Sequence, residues 1–288
     1  MFLHTRIRRV LTAATAALVL ALTACGSDDS GDGEETAAPQ DVDLAHIHGL
    51  GINPADGLLY VATHHGVITV RDDGSAELVS EDRADYMGFT VAGPDHFYGS
   101  GHPEPGSDEP ADRGLLESTD GGRTWTALSL AGEADFHALE YAHDTLYGHT
   151  HGRIMTSPDG RTWDTGAEIA AVDLAVSPDD PALVLATTQR GIATSTDGGA
   201  TFDDGGDTVA AFLSWAPDGT LYGLDPDSTV LRSEDGGATW TRAGQVPGGG
   251  PQALTALADG RLLAATGGGV YESTDAGESF TERIATTE

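Results

Sequence analysis

Downstream of residue 41, short apolar segments alternate with polar turns, and the segments come in groups of four. In the clearest group, residues 172–177 (VDLAVS), 182–187 (ALVLAT) and 191–195 (GIATS) are the first three segments, and the residues after Phe202 are the fourth. Short apolar runs bounded by Gly, Pro and Asp indicate β-strands. Similar groups begin near His46, Met87, Phe136, Phe212 and Leu254. The pattern predicts six four-stranded units.

A motif recurs in the turn that follows the third segment of each group. The sequence S-x-D-G-G-x-T-W occupies residues 118–125 and 233–240, with close variants at 157–163, 195–202 and 273–280. Its aspartates, spaced by 39, 38, 38 and 40 residues, are Asp120, Asp159, Asp197, Asp235 and Asp275. A degenerate copy contains Asp73. Since an Asp carboxylate accepts N–H bonds from the residues after it and glycine permits positive φ, the motif predicts a structural turn.

The motif resembles the Asp-box, or BNR, repeat shared by sialidases, sortilin-type receptors and photosystem II assembly factors. The resemblance spans residues 46–284 and implies a β-propeller. The 247 residues from 42 to 288 hold about six blades at roughly 40 residues each. We therefore expect an all-β, six-bladed β-propeller of four-stranded blades. A seven-bladed propeller would need one blade within residues 101–113, a Pro- and Gly-rich stretch that we interpret as a loop.

The first 41 residues predict export and lipid anchoring. Residues 1–24 contain Arg6, Arg8 and Arg9, then an apolar run too short to span a bilayer, and lead into Leu-Thr-Ala-Cys. This is the pattern of a lipoprotein signal peptide, with Cys25 as the lipidated residue. Residues 25–41 are acidic and lack a core-forming side chain after Cys25, which predicts a flexible tether. The expected location is the outer face of the cytoplasmic membrane.

Charge narrows the range of partners. The chain has 46 acidic residues, 14 basic residues that are all Arg, and a net charge of -32. Removal of residues 1–24 takes three Arg and no acid, which leaves -35. Such a surface repels phosphates, so nucleic acid is excluded as a partner, whereas cations are attracted.

Histidine is distributed unevenly along the chain. Ten of the 11 histidines lie between residues 46 and 151, within the first three predicted blades. In a propeller, the innermost strands begin on the same face on which the second strands end; we call this face the rim. Eight histidines map to the rim, namely His46, His48, His64, His65, His102, His137, His149 and His151. The other two, His96 and His143, map to hairpins on the opposite face.

Several imidazoles on one concave face predict a transition-metal site, since imidazole is the commonest protein ligand for zinc and copper. The predicted inner ligands are His48, His64, His137 and His149. The alternates are His46, His65, His102, His151 and Met87, whose thioether favours copper over zinc. Asp173 and Asp225 are candidates to complete the site or to orient its ligands.

Two other functions remain open. Proteins with this repeat are often labelled glycosyl hydrolases. A glycosidase needs two carboxylates that flank the scissile bond, and Asp135, Glu140, Asp173 and Asp225 are candidates for that role. The sialidase Phe/Tyr-Arg-Ile-Pro motif is missing, and only Arg113, Arg153 and Arg190 map to the rim as carboxylate clamps. The third function is a scaffold that docks a protein partner at the cell surface.

Overall fold

The computed structural model describes residues 42 and 44–286, and they form six antiparallel sheets, each built from consecutive strands. The strands of blades one to three are β1 (Ile47–Ile52), β2 (Leu59–Thr63), β3 (Gly66–Val70), β4 (Ala76–Leu78), β5 (Asp85–Gly93), β6 (His96–His102), β7 (Leu115–Ser118), β8 (Thr126–Ser129), β9 (Ala138–Ala142), β10 (Thr145–Thr150), β11 (Arg153–Ser157) and β12 (Asp164–Glu168).

The strands of blades four to six are β13 (Leu174–Val176), β14 (Val184–Thr188), β15 (Gly191–Ser195), β16 (Phe212–Trp215), β17 (Leu221–Leu224), β18 (Thr229–Ser233), β19 (Thr241–Gln245), β20 (Pro251–Ala256), β21 (Leu262–Thr266), β22 (Gly269–Ser273) and β23 (Thr281–Ala285). The described part of the chain also contains one 3₁₀ turn, Ala258–Gly260, which precedes β21. The prediction of an all-β, six-bladed propeller is confirmed.

The hydrophobic core is a ring of six interfaces between neighbouring blades. Strand β2 shows why, because all five of its residues are buried. Its alternate side chains point to opposite faces of the sheet: Leu59 and Val61 pack against blade six, and Tyr60 and Ala62 pack against blade two. Each inner strand therefore needs apolar residues at successive positions, which explains the continuous apolar segments of the sequence.

Among the described residues, the ring closes between blades six and one without exchange of a strand. The backbone N–H of Ile47 donates to Oε1 of Gln252 over 3.0 Å, and the hydroxyl of Thr255 donates to the carbonyl of Leu50 over 2.9 Å. Closure brings the beginning and the end of the described chain into one core cluster.

Blade four departs from the predicted four strands. Its sheet has three strands, although residues 203–208 still follow β15: Gly206 N–H donates to Ile192 O, and Ile192 N–H donates to Thr208 O. This segment, DDGGDT, contains two glycines and no apolar residue, so it lacks the side chains that pack a strand edge. The predicted fourth strand is therefore wrong for this blade.

Residues 103–114 form a loop between β6 and β7, as expected, so no seventh blade is present among the described residues. The five motif aspartates all lie in turns between the third and fourth strand positions of a blade, on the face opposite the rim. In the first copy, both carboxylate oxygens of Asp120 are used: the N–H of Thr124 donates to Oδ1 over 3.0 Å and its hydroxyl donates to Oδ2 over 2.6 Å. Asp197, Asp235 and Asp275 make the same pair of bonds.

The predicted signal peptide, Cys25 and the acidic tether lie outside the described residues. Among the described residues, no helix is long and apolar enough to cross a bilayer.

Candidate metal centre

The innermost strands of the six blades begin at equivalent positions. In blades one, two and six, the inner strand contains a β-bulge, a residue with no partner opposite it on the second strand. The bulged residues are His48, Met87 and Gln252. Bulges re-aim side chains and are common beside functional sites. Aligned on the residues that follow them, the six inner-ring positions are His48, Met87, His137, Asp173, Phe212 and Gln252.

Three histidines of blade one converge at the rim. A ligand nitrogen from each of His46, His48 and His64 lies within 4.8 Å of the other two. The ring centroid of His64 is 4.6 Å from that of His48 and 5.0 Å from that of His46. Trans ligands of an ion bound at roughly 2 Å are about 4 Å apart, so small side-chain rotations bring all three nitrogens onto one ion. The described residues thus contain a three-histidine cluster that can hold a metal.

The backbone of His46 contributes to this convergence. His46 precedes β1 and has φ of 56°, in the left-handed region that is sparsely populated by residues other than glycine. Its carbonyl accepts the N–H of His64 over 3.3 Å, which fixes the two residues opposite each other. Such backbone outliers concentrate at functional sites, where the surrounding structure holds them.

Asp85, from blade two, is the residue that the sequence reasoning missed. Its Oδ2 lies 2.8 Å from Nδ1 of His64. A hydrogen bond donated by Nδ1–H leaves the lone pair of Nε2 free for a metal, as in carboxylate–histidine–metal arrangements. Asp85 Oδ1 lies 3.6 Å from Nε2 of His48. Both of these atoms are buried and lack a hydrogen-bond partner among the described residues, and their separation is close to the about 3.3 Å between ligands of a tetrahedral ion.

Burial keeps His48 neutral. Loss of hydration lowers its pKa to about 4; the carboxylate of Asp85 opposes this shift, and the neighbouring histidines reinforce it. A neutral imidazole is the form that binds a metal, so His48 is ready to act as a ligand at neutral pH.

His137 and His102 form a second group around Asp135. Nε2 of His137 lies 2.7 Å from Oδ2 of Asp135, and Nε2 of His102 lies 3.4 Å from the same oxygen. Burial opposes ionisation of Asp135, but the hydrogen bond from His137 and the nearby histidines hold its pKa below the usual value. The same hydrogen bond raises the pKa of His137.

The remaining predicted residues lie outside the three-histidine cluster. His149 is buried, and its Nε2 lies 2.9 Å from the carbonyl oxygen of Ile169. His65 is exposed in the turn after β2, and His151 lies in the turn after β10 with φ of 48°. Met87 is half-buried in its bulge. On the opposite face, His96 contacts Glu117 and His143 contacts the carbonyl of Ser177.

A cavity of about 410 Å³ runs along the innermost strands, and His48 and His137 line it. Glu140 and Asp173 also line the cavity. Burial raises the pKa of Glu140 to about 8, with a further contribution from Asp173, and burial raises the pKa of Asp173 to about 7. One oxygen of each is bonded to the next blade: Val176 N–H donates to Glu140, and Leu213 N–H donates to Asp173.

Three of the residues considered for the alternative functions, Asp225, Arg113 and Arg153, are engaged in other contacts. Asp225 accepts the N–H groups of Asp227 and Thr229 in the turn after β17. Arg113 is buried and pairs with Asp82 and Glu109, and Arg153 pairs with Glu168. Arg190 lines a separate cavity together with His149.

Comparison with known proteins supports the fold. No protein-family model matches the chain, and no curated protein matches it. Solved structures do match. A gluconolactonase from Xanthomonas campestris has 17% identity and a TM-score of 0.62 over 78% of this chain and 84% of its own.

Two further structures match at similar levels. A chain of a nidogen/laminin complex has 14% identity and a TM-score of 0.59 over 78% of this chain and 92% of its own. An ancestral GH74 enzyme has 13% identity and a TM-score of 0.54 over 82% of this chain, which spans 37% of the enzyme. At these identities the matches establish a β-propeller fold and no activity.

Proposed function

We propose that this protein is a cell-surface β-propeller lipoprotein that binds copper or zinc at the rim of blade one. The observation that carries the proposal is the convergence of His46, His48 and His64, with a ligand nitrogen of each within 4.8 Å of the others. Asp85 orients His64 and supplies a carboxylate oxygen next to His48. Neutral imidazoles suit both copper and zinc.

The acidic surface and the predicted anchor support the same function. Outside the membrane, a net charge of -35 after removal of residues 1–24 raises the local concentration of cations. Lipidation of Cys25 would keep the domain at the outer face of the cytoplasmic membrane, where it meets metal ions that enter from outside. Mass spectrometry of the mature chain tests the lipid, and an unmodified Cys25 would contradict the anchor.

Metal binding is tested on tag-free mature chain stripped with a chelator. We expect calorimetric titration with Cu²⁺ or Zn²⁺ to give micromolar or tighter affinity, and mass spectrometry to find the metal after gel filtration. His64→Ala should abolish tight binding at the three-histidine cluster and so remove the equivalent bound there. His96→Ala is the matched control, since His96 lies on the opposite face, and it should bind as the parent does. Absence of binding by the parent chain, or equal loss in both variants, would refute the proposal.

A second candidate, glycoside hydrolysis, rests on one observation: Glu140 and Asp173 line the central cavity with raised pKa values. Carboxyl groups that remain protonated near neutral pH can act as general acids. A panel of chromogenic glycosides tests this candidate. Turnover that is lost in Glu140→Gln would favour glycoside hydrolysis over metal binding.

A scaffold function would instead be favoured by the capture of one stoichiometric protein partner in the presence of chelator.

A further inference from the structure

Blade two repeats the geometry that builds the three-histidine cluster in blade one. In blade one, His46 lies opposite His64 across the two inner strands. In blade two, Asp85 lies opposite His102 in the same register. The bulged residues His48 and Met87 follow two positions later in each case. Blades one and two can therefore be superposed by their strand positions. Asp85 then corresponds to His46, Met87 to His48 and His102 to His64.

The contacts between blades repeat as well. His64, the residue after β2, contacts Asp85 of the next blade through Nδ1 over 2.8 Å, and His102, the last residue of β6, contacts Asp135 of the next blade through Nε2 over 3.4 Å. In each pair the histidine contacts Oδ2. Oδ1 of Asp85 and Oδ1 of Asp135 are both buried without a hydrogen-bond partner among the described residues. Asp135 additionally contacts His137 over 2.7 Å.

A bound cation would give Oδ1 of Asp85 and Oδ1 of Asp135 the partner that each lacks. A buried polar atom without a partner costs roughly 1–3 kcal/mol, and more when it is charged. The side chain of Asp135 is nine-tenths buried, so water does not readily satisfy its free oxygen. A metal ion held by imidazole nitrogens at this carboxylate would satisfy the free oxygen and neutralise the charge.

We propose that the rim carries a second metal position, between blades two and three, with His102, Asp135 and His137 as its ligands. Met87 occupies the inner-ring position of blade two that corresponds to His48, and a thioether ligand from it would favour copper. This proposal rests on the proposed function, because it assigns a second ion to the same rim, but its ligands are separate. In blade four, the residue that corresponds to Asp135 is Ala171. Because alanine offers no ligand atom, the pattern does not extend to a third metal position.

Metal stoichiometry tests the second position. Tag-free mature chain is stripped, titrated with Cu²⁺ by calorimetry, and followed by electron paramagnetic resonance. We expect two equivalents in the parent chain and magnetic coupling between the two Cu²⁺ ions at saturation. His102→Ala combined with His137→Ala should retain one equivalent and lose the coupling. His46→Ala combined with His64→Ala should also retain one equivalent, with a different Cu²⁺ spectrum.

Each alternative outcome has a separate meaning. One equivalent in the parent chain, lost only with His46 and His64, would overturn the second position and leave the proposed function intact. One equivalent lost only with His102 and His137 would instead overturn the three-histidine site. A variant that fails to fold is replaced by Asp135→Asn, which keeps the side-chain volume and should weaken the second equivalent at least about 10-fold. Circular dichroism of each variant verifies the fold.

Discussion

Blades one to three and blades four to six share one backbone plan but use their inner-ring positions differently. In the first half these positions are His48, Met87 and His137, and the first and third belong to clusters of histidine and aspartate. In the second half, Asp173 accepts the N–H of Leu213 and Gln252 accepts the N–H of Ile47. The same position thus contributes a candidate ligand in blades one to three and joins neighbouring blades in blades four and six.

The fold supplies equivalent backbone positions at the rim in every blade, whereas the side chains decide whether these positions carry ligand atoms. Every blade offers an inner-strand start that faces the rim. Only blades one to three combine an inner-ring ligand with polar partners two residues earlier and at the end of the second strand. In blade six the positions that correspond to His46 and His64 are Gly250 and Gly267, and the N–H of Gly267 donates to the carbonyl of Gly250 as His64 does to His46. Glycine keeps the backbone contact and removes the ligand.

The largest effect is expected when His48 of blade one and Gln252 of blade six, the inner-ring residues on either side of the closure, are each replaced by the other's side chain. His48→Gln should weaken metal binding at the three-histidine cluster by at least about 100-fold, because it removes one of the three imidazole ligands. Gln252→His should create no new site, since Gly250 and Gly267 offer no ligand atoms. Calorimetric titration of both variants checks this. Gain of a binding equivalent in Gln252→His would show that one inner-ring histidine suffices.

The carboxyl groups of the cavity should give the molecule an unusual pH dependence of stability. The pKa values of Glu140 and Asp173 are raised to about 8 and about 7 in the folded state, whereas unfolded carboxyl groups have values near 4. The folded state therefore binds more protons between these values. Their contribution to stability is fully present below about pH 4 and is lost as pH rises through about 7–8, by a total on the order of a few kcal/mol.

Urea unfolding at a series of pH values measures this contribution. In Glu140→Gln and Asp173→Asn, the free energy of unfolding should decline less between pH 5 and pH 8 than in the parent chain. Asp203→Asn is a matched control, because Asp203 is an exposed carboxylate outside the cavity. Parallel curves for the parent chain and the two cavity variants would contradict the assigned pKa shifts.

Asp85 tests the positioning of ligands in the first half. Asp85→Asn should weaken the metal bound by the three histidines by about 10–100-fold, because the amide no longer fixes the tautomer of His64 or neutralises the ion. The affinity for Cu²⁺, measured in competition with a chelator, reports the effect. Asp225→Asn serves as the counterpart in the second half, and an equal loss in that variant would argue for bulk charge instead of positioning.

The Asp-box turns should not distinguish the halves. Asp120→Ala and Asp235→Ala each remove an acceptor of two hydrogen bonds from Thr124 or Thr239. Each should lower the free energy of unfolding by about 1–3 kcal/mol and leave metal affinity unchanged. Chemical denaturation with and without metal gives both values. Metal affinity that depends on Asp120 but not on Asp235 would connect this face to the rim.

Much of the architecture could be predicted from the sequence. The repeat at 38–40 residues predicts the number of blades, and the even spacing of apolar segments predicts their strands, because each blade must bury both faces of its inner strands. The prediction failed at residues 203–208, where repeat length alone suggested a strand that the Asp- and Gly-rich composition does not support. The prediction that histidines gather on one face needed only the order of strands within a blade.

The histidines that come together were decided by tertiary structure. Strand alternation predicts the direction of a side chain only while the strand is regular, and His48 lies in a bulge while His46 has a left-handed backbone. His149 was expected among the inner ligands, but the chain that follows β12 offers it the carbonyl of Ile169. Asp85 is 21 residues from His64 along the chain and belongs to the next blade. The sequence thus determined the propeller and the face that carries its histidines. Tertiary structure decided which candidate ligands meet: the bulge at His48 and the left-handed backbone of His46 bring together three histidines of blade one, and the docking of blade two adds Asp85. No local periodicity encodes these contacts.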